Sequence, residues 1–246
     1  MKRILITNDD GATSIGLRVL SETLSRIARV VVVAPACNKS ATSAAITLNR
    51  ALCVTRKSPD FYTVDGTPAD CVHAALTGLL SEKPDLIVSG INCGKNLGED
   101  IVYSGTVGAA RVGYLFAVSS LAVSLVSDSW RHVQTAADVS RILISRILQT
   151  ENLSPFLFNV NVPDLPFKML CGIKKTRPGL RSSPQRATVQ TGADGKFFVS
   201  LGSQGNPVDC GPGTDFEAIQ NGYVSVSPLK MLPAMTDNEI DFSALM

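Results

Sequence analysis

The residues best equipped for chemistry are two adjacent carboxylates. Asp9 and Asp10 stand within Asn8-Asp9-Asp10-Gly11, directly after the apolar run Arg3 to Thr7. That run has the length of a strand, and in an open α/β sheet ligands bind beyond the carboxyl ends of the strands. A dinucleotide-binding turn would carry Gly-x-Gly-x-x-Gly here, because a pyrophosphate needs close backbone approach and the positive end of a helix. Two adjacent acids would repel such a phosphate. They suit it only if a divalent cation lies between; the alternative is that one acid caps the next helix and the other is solvated.

Two further strings open on the same edge. Asn38-Lys39-Ser40-Ala41-Thr42-Ser43 follows the second apolar run and offers hydroxyls and one amine to a cation or a phosphate, although such loops are also ordinary turns. Ser89-Gly90-Ile91-Asn92 follows a third run, then Gly94, Asn96 and Gly98, and Ser104-Gly105-Thr106 leads into a helix. Glycines admit close backbone approach, and Asn side chains supply neutral oxygen ligands and amide donors. Ser-Gly-Thr at a helix N-terminus provides free N–H groups and a positive dipole end, a general anion site; an ordinary N-cap is the plainer alternative. Together the three loops point to metal-assisted phosphate chemistry.

Strands and helices must bring these loops together. Ile15, Leu17, Val19, Leu20, Leu24 and Ile27 recur at near-helical spacing and predict an amphipathic helix over 14–27. The β-branched run Val30 to Ala34 predicts a strand buried on both faces, completing a βαβ unit. A small hairpin is expected over 51–55 and 61–64, then a helix from Pro68 through Leu79 with Thr67 as N-cap. A buried strand over 85–89, a Gly/Asn loop over 90–104 and a helix over 106–114 follow, then strands over 118–126 and 156–162 flanking a helix over 130–149. This alternation predicts an α/β fold with an open, doubly wound sheet.

Past Pro163 the composition turns to Pro, Gly, Ser and Gln. Phe197 to Leu201 then forms a short β pattern, 215–221 a brief helix and 223–227 an alternating strand. The expected organisation is a catalytic core over 1–163. Residues 164–246 would form a β-hairpin arm and a C-terminal oligomerisation segment returning to the core. An arm without its own core is most simply stabilised against another subunit.

Composition narrows the function classes. Of the 246 residues, 45% are hydrophobic and 18% charged, enough for a sizeable core. The charge-poor surface suits an oligomer, though buried catalytic architecture reads the same way. A net charge of +2 without a Lys/Arg run argues against nucleic acid as a stable partner. No apolar stretch reaches the roughly 18 residues of a membrane helix. The apolar start ends at Asp9, before a signal peptide could form, so a soluble cytoplasmic protein without membrane association is expected. Six cysteines without a Cys-x-x-Cys pair predict reduced thiols, and His73 and His132 are expected to pack or face solvent.

These strings resemble the SurE family, the survival-protein nucleotidases. The resemblance spans nearly the whole chain: Ile4 to Gly11, Asn38-x-Ser40, Ser89 to Asn92 with Asn96-Leu97-Gly98, Tyr103 to Val107, Thr214-Asp215 and Gly222 to Leu229. It implies a Rossmann-like three-layer α/β/α sandwich with a C-terminal β-hairpin arm, exchanged between protomers in a homodimer or homotetramer. It also implies a divalent-metal phosphatase hydrolysing nucleoside 5′-monophosphates, with 3′-monophosphates and short polyphosphate as further substrates. The implied metal ligands are Asp9, Asp10, Ser40 and Asn92, with the two aspartates catalytic. The implied phosphate contacts are Asn96, Ser104, Gly105 and Thr106.

An all-oxygen ligand set suits one Mg²⁺ or Mn²⁺ per subunit more than zinc. The chain departs from the family pattern at Ala12-Thr13-Ser14, Ala36-Cys37 and Ala41. None of these removes a ligand, but the Arg that many members carry before the Asn-x-Ser loop is missing, which weakens anion attraction. Two other readings stay open. An aspartyl-phosphate phosphatase of haloacid-dehalogenase type would use a carboxylate nucleophile, but spaces its acids Asp-x-Asp. A nucleotide-binding sensor would use the metal for affinity without turnover.

Overall fold

A computed structural model of the chain describes residues 1–231. Short apolar runs separated by helices can pair in parallel, because each helix carries the chain back across the sheet. The core follows this pattern: β1 (Arg3–Thr7), α1 (Ile15–Leu24), β2 (Arg29–Pro35), β3 (Val54–Ser58), β4 (Phe61–Val64), α2 (Pro68–Ala74), β5 (Leu86–Cys93), α3 (Asp100–Tyr103), α4 (Gly105–Leu115), β6 (Ser120–Val126), α5 (Val133–Gln149) and β7 (Leu157–Pro163). The later elements are β8 (Ile173–Lys175), β9 (Leu180–Arg181), β10 (Thr188–Thr191), β11 (Phe197–Ser200), β12 (Pro207–Asp209), α6 (Asp215–Gln220) and β13 (Val224–Pro228).

Nine strands form one sheet in the order β3-β4-β2-β1-β5-β6-β7-β13-β8. Strands β4, β2, β1, β5, β6 and β7 run parallel, whereas β3 and β13 run antiparallel to β4 and β7. On one face Leu17, Leu20 and Leu24 of α1 and Ala136, Ala137 and Ile144 of α5 pack over Ile4, Ile6 and Val88. On the other, Ala69, Cys71 and Val72 of α2 and Ala109 and Val112 of α4 cover Leu5, Val33 and Ile87. The architecture is therefore a three-layer α/β/α sandwich. At roughly 1.5–3 kcal/mol for each large side chain buried, these two clusters dominate the stability of the scaffold.

Local signals set the helix ends. Ser14 caps α1 by accepting the Leu17 amide at 3.2 Å. Thr67 accepts the Asp70 amide at 3.0 Å while Asp70 accepts the Thr67 amide at 2.9 Å, a reciprocal capping box ahead of Pro68. Helix α1 ends at Leu24, three residues short of its apolar periodicity, because the chain must turn into β2 at Arg29. After Ala74 the coil widens into a π-helix over Ala75–Leu79.

The largest departure concerns β5, which continues to Cys93 instead of ending at Ser89. Ser89 pairs with Ala122 and Asn92 with Ser124, so β5 carries one extra residue in a bulge. Gly90 makes this possible: its φ is +143°, and a Cβ there would lie 2.4 Å from the Val123 carbonyl oxygen. Beyond Pro163, β8 and β13 join the main sheet, β9 pairs with β12, and β10 with β11 forms the expected hairpin. The part of the C-terminal segment over 232–246 lies outside the described residues. Among the described residues no helix is long and apolar enough to cross a membrane, and all six cysteines are free thiols.

Candidate active site

Strands β2, β1 and β5 lie side by side and parallel, so the loops after Pro35, Thr7 and Cys93 meet at one edge. The chain leaves β1 for β2 on one side and reaches β5 on the other, which makes this a topological switch point and the expected ligand crevice. A cavity of about 470 Å³ lies there, lined by Asp9, Ser40, Asn92, Asn96 and Ser104 among others.

Backbone ties hold the loops in place. The Asp9 carbonyl accepts the Lys39 amide at 2.7 Å, joining the first two loops. Asn38 accepts the Ser40 amide at 2.9 Å in an Asx turn that places the Ser40 hydroxyl. Buried Asn8 donates to the Gly11 carbonyl at 3.0 Å and to the Ser14 hydroxyl at 2.8 Å, which orders the loop carrying the two acids.

Asp9 is almost fully buried, at 3% exposure. Its carboxylate accepts the Thr106 hydroxyl at 2.5 Å and the Thr106 amide at 3.1 Å, at the start of α4. Gly105 lets the helix come this close, since a Cβ there would meet the Asp9 Cβ at 3.0 Å. Asp10 is half-buried and accepts the Cys93 amide at 3.3 Å. Burial pushes the Asp9 carboxyl above the ordinary range, against the Thr106 hydrogen bonds. Burial and the Asp9 charge push Asp10 up to about 6, against the Cys93 amide. Among the described residues no Lys or Arg forms an ion pair with either acid.

The third loop is equally ordered. The Asn96 amide donates to Asn161 at 2.9 Å, and its carbonyl accepts from Asn159 and Asn161 at 2.8 and 3.0 Å. The Asn96 side chain gives one N–H to Ser124 at 2.7 Å, which leaves the other for a ligand. Asn92 donates to the Gly94 carbonyl at 2.9 Å, leaving its oxygen free to coordinate. Ser104 caps α4 by accepting the Val107 amide at 3.1 Å, so its hydroxyl proton can point into the cavity.

Of the eight residues singled out from sequence, Asp9, Ser40, Asn92, Asn96 and Ser104 line the cavity. Asp10 and Gly105 adjoin the lining residues Asp9 and Ser104 in the chain, and Thr106 is fully buried against Asp9. Its amide and hydroxyl both donate to Asp9, which positions that carboxylate. Asn92, expected on a loop, stands on the end of β5. The cavity also includes Lys95, Asp100, Tyr103, Arg181, Ser203 and Gln204, which sequence reasoning did not single out. Lys95 was detectable as the one cation inside the Gly94-to-Gly98 string. Arg181, Ser203 and Gln204 come from the arm, and no local signal ties them to the site.

A mostly parallel sheet with helices on both faces and a polar cavity at its switch point defines a three-layer α/β/α protein whose ligand site lies at the strand ends. Residues 4–185 match the family model for survival protein SurE. The chain is 44% identical over 231 residues to the 5′-nucleotidase SurE of Alkalilimnicola ehrlichii, covering 94% of this chain and 90% of that protein. It is 44% identical over 246 residues to the 5′-nucleotidase SurE of Polaromonas naphthalenivorans, covering 96% and 94%. It resembles the crystal structure of the SurE protein from Aquifex aeolicus with a TM-score of 0.84 and 39% identity, over 98% of this chain and 97% of that one. The chain belongs to the SurE family.

Proposed function

We propose that the strand-end cavity hydrolyses nucleoside 5′-monophosphates to nucleoside and phosphate. The chain is then a 5′-nucleotidase, a phosphoric monoester hydrolase, like the relatives bearing that name. Nucleoside 3′-monophosphates and short polyphosphate are further substrates of the same site. The observation that carries the reading is the adjacent pair of buried Asp9 and half-buried Asp10, which shares one edge with Ser40, Asn92, Asn96 and Ser104 and has no basic partner among the described residues.

That donor set fits a divalent cation. Two carboxylates disfavoured as anions, a hydroxyl and an amide oxygen form a hard, all-oxygen set suited to Mg²⁺ or Mn²⁺. Asp9, Asp10, Ser40 and Asn92 would hold one such ion per subunit. When bound, it supplies Lewis acidity toward a phosphoryl oxygen and acidifies a water. The protein's own residues do the rest. Thr106 fixes Asp9 at the start of α4. One of the two aspartates, Asp9 or Asp10, orients the attacking water and takes its proton. The free Asn96 N–H, the Ser104 hydroxyl and the Gly105 amide hold the equatorial oxygens and stabilise the charge that builds there.

The arm suits self-association. Its strands expose Val189, Phe197, Phe198 and Val199, each more than half accessible, and that apolar surface suits burial against another subunit. This supports residues 164–246 as the oligomerisation region of a homodimer or homotetramer; a cytoplasmic location is part of the same proposal. The test of function is phosphate release from 5′- and 3′-monophosphates and tripolyphosphate, with chelator, Mg²⁺ or Mn²⁺. Metal-dependent release from the 5′-nucleotides is expected. Tight nucleotide binding without release from folded protein would favour a sensor, and a phosphorylated Asp9 an aspartyl-phosphate mechanism.

A further inference from the structure

We propose that Tyr103 and the neck of the arm, residues 181–184 and 203–205, form the subsite that binds the nucleobase; this rests on the nucleotidase reading above. The strand-end cavity of about 470 Å³ adjoins a second of about 260 Å³, and Tyr103, Arg181 and Gln204 line both. The first contains the acid pair's Asp9 with Asn92, Asn96 and Ser104. The second is walled by the arm's Ser182, Ser183, Pro184 and Gly205 together with Glu99. A phosphate alone occupies only a small part of this groove. A phosphate at Ser104 with a nucleoside running toward the arm spans the junction.

Tyr103 ends α3 and directly precedes Ser104. Its side chain is unusually open for a large ring in a cavity wall, with the residue 57% exposed. An accessible aromatic face one residue from a phosphate site is a stacking platform for a base, and such stacking tolerates different bases. The exposed Gln204 offers both a donor and an acceptor to a base edge.

Arg181 is not available as a phosphate ligand. Its guanidinium pairs with Asp100 at 2.7 Å and donates to the Gly205 carbonyl at 3.0 Å, and its backbone amide donates to Glu99 at 2.7 Å. The two side chains of the pair are only 7% and 9% exposed. Arg181 is thus a positioning residue: it ties both arm segments to the start of α3 and so holds the arm's share of the groove that Tyr103 also lines.

The test compares 5′-AMP with ribose 5-phosphate, which keeps the sugar and phosphate but lacks the base. Ribose 5-phosphate is measured as a substrate or as a competitive inhibitor, against wild type, Tyr103→Ala, Tyr103→Phe and Gln204→Ala. Tyr103→Ala should raise KM for 5′-AMP about tenfold relative to the constant for ribose 5-phosphate, with kcat for 5′-AMP little changed. Tyr103→Phe should restore the wild-type ratio, and Gln204→Ala should shift it in the same direction as Tyr103→Ala by a smaller factor. An unchanged ratio in Tyr103→Ala, with wild type active on 5′-AMP, would overturn the subsite and leave the nucleotidase reading standing. Wild type that handles ribose 5-phosphate but not 5′-AMP would overturn both.

Discussion

Replacing Asp10 with Asn should make the cation-free protein more stable while removing its response to metal. The substitution keeps the side chain's shape and leaves an oxygen for the Cys93 amide. It removes a negative charge that burial and Asp9 both oppose. The Asp10 carboxyl is raised from 3.8 to about 6, so the folded state holds its proton more tightly than the unfolded chain does. That contribution is fully present below the unfolded value and is lost as pH rises through about 6. Full linkage over this interval would be about 3 kcal/mol at roughly 1.4 kcal/mol per unit. Asp10 keeps contact with solvent, and screening reduces the figure to about 1–2 kcal/mol. Urea unfolding at pH 7.5 in chelator should therefore place Asp10→Asn above wild type by that amount, and the difference should vanish toward pH 4. Adding Mg²⁺ or Mn²⁺ should reverse the order, because only the wild type gains stability from binding. A less stable variant in chelator, or one stabilised by metal as much as wild type, would refute the reasoning.

Three further outcomes follow from the same geometry. Thr106→Val removes the hydroxyl that donates to Asp9; it should cost about 1.5–3 kcal/mol in urea unfolding and lower turnover, and Thr106→Ser should recover both. Gly90→Ala would press a Cβ against the Val123 carbonyl at positive φ, so thermal melting should show a loss above about 3 kcal/mol. Burial raises the Asp70 carboxyl, but hydrogen bonds from Thr47 and Thr67 outweigh it and leave the value lowered. Its stabilisation is therefore present above the unfolded value and lost as pH falls through the folded one. Asp70→Asn should cost about 1–3 kcal/mol at neutral pH and flatten the acid limb of the stability profile.

The core was legible because its signals are local. The β-branched run Val30 to Val33 reads as a buried strand, and Thr67-Pro68 with Asp70 spells a helix start whose capping box then forms. The end of β5 was not legible. Gly90 and Asn92 carry loop chemistry, yet a bulge lets the strand continue through them, and only pairing with β6 reveals it. The antiparallel return of β13 beside β7 likewise depends on tertiary pairing that no short-range pattern encodes.

The site divides in the same way. Asp9 and Ser40 come soon after β1 and β2, Asn92 ends β5, and Asn96 and Ser104 belong to the string that runs from β5 to α4, so residue type and placement near strand ends point to them. The family resemblance groups Thr106 with the phosphate contacts, in keeping with Ser-Gly-Thr as an anion nest. Its hydrogen bond to Asp9, 97 positions away after a different strand, has no local signal in the sequence. The Asp100–Arg181 pair joins residues 81 positions apart, which explains why the arm's part in the cavity was invisible from sequence.

The most direct test of the central claim is phosphate release from 5′-AMP by wild type and Asp9→Asn, each with saturating Mn²⁺ and with chelator. The account predicts release by wild type only with the metal, and a loss of a hundredfold or more, on the order typical of lost electrostatic stabilisation, in a variant shown by circular dichroism to be folded. Near-normal turnover by Asp9→Asn at saturating metal would contradict it.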